Sequence, residues 1–115
     1  MIIPVLSFTD VRYDKWGEEP DDFYVCLDVY VCEEGSKNPY AYELFIIHIV
    51  SPKWLEKRLN DTHEMEIGRG YIITSNYNLP RIESKIKHLL TNCKGENWDM
   101  VIQTISRYGI WSDEG

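Results

Sequence analysis

Residues 23–31, FYVCLDVYV, alternate with a period of two. Phe23, Val25, Leu27, Val29 and Val31 share one face, and Tyr24, Cys26, Asp28 and Tyr30 share the other. That pattern predicts a strand with one face in a core. Residues 33–38, EEGSKN, read as a hairpin loop. Residues 40–50, YAYELFIIHIV, are apolar on both faces, as expected of a central strand in an antiparallel sheet. Residues 2–8 read as a short first strand, broken or edged at Pro4. Residues 9–22 contain Gly17, Pro20 and six acids and read as a loop. A further strand is expected around Tyr71–Ser75.

The helical period takes over elsewhere. Ser51 can cap a helix with Pro52 in its first turn, ending near Leu59, and residues 60–66 then read as a loop. Asn78 is a plausible N-cap with Pro80 after it. Ile82, Ile86, Leu89, Leu90 and Cys93 form one apolar stripe that stops at Gly95. Asn97 can cap another helix, whose stripe is Trp98, Val101, Ile102 and Ile105, ending at Gly109. Strands gathered early and helices late predict an α+β fold. The expected architecture is an antiparallel β-sheet of about four strands with two C-terminal helices packed on one face and a short helix after the third strand. Residues 1–115 are expected to form a single domain.

Composition narrows the classes. The chain is 115 residues long and 43% apolar, enough for a core and far from disordered composition. The longest apolar run, residues 44–50, is too short for a bilayer, which takes ~20 residues. The N-terminus, MIIPVLSFTD, lacks a basic leader, so a cytoplasmic location is expected. The formal charge is −7, unevenly spread. Residues 1–38 carry nine acids and three bases, whereas residues 67–95 carry one acid and five bases. An acidic half argues against nucleic-acid binding and for docking onto a basic partner. Cys26, Cys32 and Cys93 are expected to be reduced thiols; the first two are ~20 Å apart along one strand, beyond disulfide reach.

Motifs for chemistry are scarce. GRG at 68–70 is too short for a phosphate loop, and neither HExxH nor CxxC occurs. His48, His63 and His88 are scattered, so neither a metal nor a cofactor is expected. A Cys26–His48 pair across adjacent strands is a conceivable nucleophile, but core packing is the simpler reading of both. Asp28 between tyrosines is read as solvated, as are His63, Glu64 and Glu66. Glu18, Glu19, Asp21 and Asp22 would repel one another in a wet loop until a basic partner arrives. Trp54 and Trp98 are read as packing residues. Trp16, in the acidic loop, and Trp111, in the tail, fall outside every periodic stripe.

SPKWLEKRL after an apolar strand, then GRGYIITSNYNLPRIESKI, then GENWDMVIQTISRYGIW, resembles the immunity protein 8 family of bacterial polymorphic toxin systems. DDFYVCLDVYV resembles that family's first half. The family's Pro and Trp of the post-strand helix, its Gly-x-Trp before the last helix and its late Trp fall here on Pro52 and Trp54, on Gly95 with a shifted Trp98, and on Trp111. Ser112 stands where an acid is common, with Asp113 one step later, and Gly109 stands where a bulkier aromatic is common. The resemblance implies a cytoplasmic, non-enzymatic protein that neutralises a cognate toxin domain. The toxin is commonly a nuclease, in systems that include contact-dependent growth inhibition. The expected mode is stoichiometric occlusion of a basic toxin C-terminal domain by a monomer or weak dimer, without direct contact to nucleic acid or membrane. The expected toxin-facing set is Trp16, Glu18, Glu19, Asp21, Asp22, Trp111, Asp113 and Glu114. Two other classes stay open: a small enzyme using Asp28 or the Cys–His pair, and a structural or regulatory module.

Overall fold

The computed structural model describes residues 1–38, 40–63 and 68–113. The readings of Glu64, Glu66 and Glu114 lie outside the described residues. The order is β1 (Pro4–Trp16), β2 (Phe23–Glu33), β3 (Glu43–Val50), α1 (Pro52–Thr62), β4 (Tyr71–Ile73), α2 (Leu79–Leu90), α3 (Trp98–Ile105) and β5 (Ile110–Trp111). The sheet runs β1-β2-β3-β4, and β5 also pairs with β3. β4 takes His48–Val50 of that edge and β5 takes Phe45–Ile46, so two short strands lie end to end along it.

The alternation of β2 becomes the two faces of the sheet. Phe23, Val25, Leu27, Val29 and Val31 pack with Phe45, Ile47 and Ile49 of β3 beneath α2 and α3. Ile82, Ile86 and Leu90 come from α2, and Val101, Ile102 and Ile105 from α3, matching the two helical stripes. Asn78 and Asn97 cap these helices through side-chain oxygens that accept from Arg81 N–H and Met100 N–H. Among the described residues the opposite face is covered at one end, where Trp54 and Tyr71 pack on Tyr24, Cys26 and Val50.

Three expectations change. β1 is thirteen residues long and continues through most of the stretch read as a loop. Its charges suit an edge strand, and register shifts between Leu6 and Phe8 and between Val11 and Tyr13 break the alternation that would have marked it. The β3–β4 pair is parallel, which makes the sheet mixed: α1 is a crossover that carries the chain back to the same end. α1 itself has three turns, because Ser51 caps it and His63 closes it in the left-handed region.

Candidate functional site

The β1–β2 connection carries the acidic run. Gly17 N–H donates to Asp22 O and Asp22 N–H to Glu19 O, folding the loop back on itself. A Cβ at position 17 would collide with the Asp22 carboxylate and force it to shift out of its place in the loop. Across from the loop, α1 is anchored by Ser51, whose buried hydroxyl accepts from both Phe23 N–H and Trp54 N–H, each at 3.1 Å. One oxygen therefore joins the start of β2 to the start of α1 and brings the lysines of α1 against the acids.

That juxtaposition corrects the picture of a wet, self-repelling loop. Asp22 is 4% exposed and is ion-paired with Lys57. Lys53 reaches Glu19 at 2.8 Å and Asp21 at 3.0 Å. The Lys53 ammonium donates hydrogen bonds to Glu19 and Asp21, which hold it protonated well above its usual range, and the bond that Lys57 donates to Asp22 likewise raises the Lys57 pKa. Glu18 is exposed. A surface groove of about 650 Å³ between loop and α1 is lined by Glu18, Glu19, Asp22 and Glu56 against Lys53 and Lys57, so four acids face two bases. The corner stays negative after its internal pairing.

Trp16 ends β1 beside this corner. It is 47% exposed, its ring packs on Phe23 and edge-on to Tyr77, and its indole N–H donates to Asp14. Trp111 sits elsewhere. It is half-buried against the core, and its indole N–H donates to Glu43 at 2.8 Å. Asp113 is exposed. The register places Trp16 in the row of Phe23 and Trp111 in the row of Phe45 and Val29. These rows are roughly 20 Å apart along the strands and the two residues about 14 Å apart across them. The corner and the tail are therefore two patches rather than one.

Asp28 corrects a second reading. It is 8% exposed, not solvated, and Arg12 Nε lies 2.9 Å from its Oδ1 as a charge pair without hydrogen-bond alignment. Cys26 and His48 are direct cross-strand partners. Their arrangement does not activate the thiol. Burial pushes the Cys26 pKa up, and His48 Nδ1 is engaged by the Tyr24 hydroxyl at 2.6 Å. Tyr24 is in turn bonded to the Tyr13 hydroxyl, and burial followed by that bond raises its own pKa far above the phenol range. Among the described residues, no three metal-ligating side chains converge, and no helix is long and apolar enough to cross a membrane.

The family model described as immunity protein 8 matches residues 3–115. The chain belongs to the immunity protein 8 family. No curated protein and no solved structure matches it significantly. Membership points to toxin-neutralising immunity with a toxin as partner, in a family that is generally non-enzymatic. In this family member Pro52 opens α1, and Trp54 packs against Tyr24 with the rings tilted by 30°, while the Arg58 guanidinium lies over the Trp54 ring, 5.5 Å from its centroid. Trp98 and Trp111 both pack against the main core. The motif tryptophans that carried the resemblance thus act in packing, and the exposed aromatic surface lies on other residues. Phe8, Tyr13 and Tyr42, all more than a third exposed, share the open sheet face with half-buried Tyr30. Only Tyr13 falls in the stretch that reads as a loop; Phe8, Tyr30 and Tyr42 fall in expected strands, but the face they share emerges only from the pairing of β1 with β2.

Proposed function

We propose that this protein neutralises a basic nuclease toxin, of the contact-dependent growth inhibition type, by one-to-one occlusion in the cytoplasm. The observation that carries the reading is the acidic corner between the β1–β2 loop and α1, which keeps a negative balance after Lys53 and Lys57 have been used. A nuclease is basic where it grips phosphates. A preformed negative surface speeds its capture, and speed matters because free toxin damages the cell before slow binding could intervene. The toxin-facing set is Trp16, Glu18, Glu19, Asp21 and Asp22, with Trp111, Asp113 and Glu114 as a second patch.

The test uses the triple variant Glu18→Gln, Glu19→Gln, Asp21→Asn, which leaves buried Asp22 in place. Association with the cognate toxin domain is followed by stopped flow at several salt concentrations. The association rate constant should fall about tenfold at low salt, and its salt dependence should flatten. An unchanged rate with unchanged salt dependence would remove the corner from the mechanism.

A further inference from the structure

We infer that the open face of the sheet anchors the toxin, and that the Asp10–Asp28 carboxylate pair on it receives a lysine or arginine side chain of that partner. The inference rests on the proposed neutralisation of a basic toxin and adds the surface that holds it.

Helices α2 and α3 occupy one face, and among the described residues α1 covers the Tyr24 end of the other. Further along that second face Asp28 is buried and Tyr30 half-buried, whereas Phe8, Asp10 and Tyr42 are exposed, and the aromatics order one another. Phe8 stacks on Tyr30 with centroids 4.1 Å apart, and Tyr42 meets Tyr30 edge-on at 4.9 Å. Phe8 is 47% and Tyr42 41% exposed. Rings fixed by one another lose little freedom on binding, and aromatics of this kind dominate interface energetics.

Beside this stack the charges are poorly matched. Asp10 and Asp28 are direct cross-strand partners. Like charges in that relation destabilise a sheet. Among the described residues Arg12, which lies within the second register shift of β1, is the cation that answers them, and it contacts Asp28 out of hydrogen-bond alignment. Asp10 makes no hydrogen bond or ion pair among the described residues. Two carboxylates stand beside one guanidinium that pairs with Asp28 and leaves Asp10 unanswered, on a surface rimmed by Phe8 and Tyr30. A second cation would complete the charge balance and lie against ring faces, where cation–π attraction adds to it. Local conflict retained on an exposed face is the pattern of a site built for a partner.

The test is Asp10→Asn with Tyr42→Ala as a separate variant, measured against the cognate toxin domain by biolayer interferometry, with thermal melts of the free proteins. Asp10→Asn should raise the dissociation rate about tenfold while the melting temperature holds or rises, because the like-charge pair is relieved. Tyr42→Ala should also raise the dissociation rate, with little change in association. Dissociation rates within about twofold of wild type for both variants would overturn the inference and leave the proposed function standing. Failure of the wild-type protein to bind would remove both. Sedimentation of the free protein separates another occupant: a stable dimer that Tyr42→Ala dissolves would assign this face to a second copy and overturn the inference as well.

Discussion

Ser51→Ala removes the oxygen that joins the acidic corner to α1, and its cost can be worked from the structure. The hydroxyl is fully buried and accepts two backbone hydrogen bonds, from Phe23 N–H and Trp54 N–H. Loss of the N-cap bond costs about 1 kcal/mol. The Phe23 amide, in a fully buried residue, is left without its partner, which adds about 1–3 kcal/mol. The sum is about 2–4 kcal/mol. Asn78→Ala and Asn97→Ala serve as internal references, since each of those caps accepts a single bond and should cost about 1 kcal/mol. Urea denaturation followed by tryptophan fluorescence measures all three, and the slope of the transition should stay constant. If Ser51→Ala costs no more than the two asparagine caps, the hydroxyl is not the tie between β2 and α1.

Other outcomes follow from the same contacts. Lys57→Met should destabilise the fold more than Lys53→Met, because it leaves buried Asp22 uncompensated whereas Lys53 faces exposed acids; the order of their midpoints in chemical denaturation distinguishes them. Both lysines have raised pKa values in the folded state, so the fold binds their protons more tightly than the unfolded chain does. Their contribution is complete below their ordinary 10.5 and is lost as pH rises through the folded values, so the double variant Lys53→Met, Lys57→Met should show a shallower alkaline loss of melting temperature than wild type. Half-exposed Cys32 should react first with Ellman's reagent, while Cys26 and Cys93, buried and with thiol pKa values raised by burial, should react only on unfolding.

The sequence made the helix-covered side of this protein legible. The alternation of residues 23–31 and the stripes of α2 and α3 are local patterns, and each became the core face expected of it. The caps Ser51, Asn78 and Asn97 were visible for the same reason. What stayed hidden depends on pairing across distance. β1 was obscured by edge-strand charges and two register shifts, and with it went the opposition of Asp10 and Asp28. Asp22 could not be read as buried because the lysine that neutralises it is 35 residues away. β5 is two residues long and gains its strand character only from β3. The candidate site was thus visible as a list of acids and aromatics, whereas its division into a corner, a separate tail patch and an open aromatic face needed the register.

Titration of the cognate toxin domain with this protein, with the toxin's activity as readout, tests the central claim most directly. Activity should fall in proportion to added protein, reach zero at one equivalent, and do so without dependence on incubation time. Toxin that stays active in the presence of excess protein, or that is progressively silenced by a small fraction of an equivalent, would contradict one-to-one neutralisation.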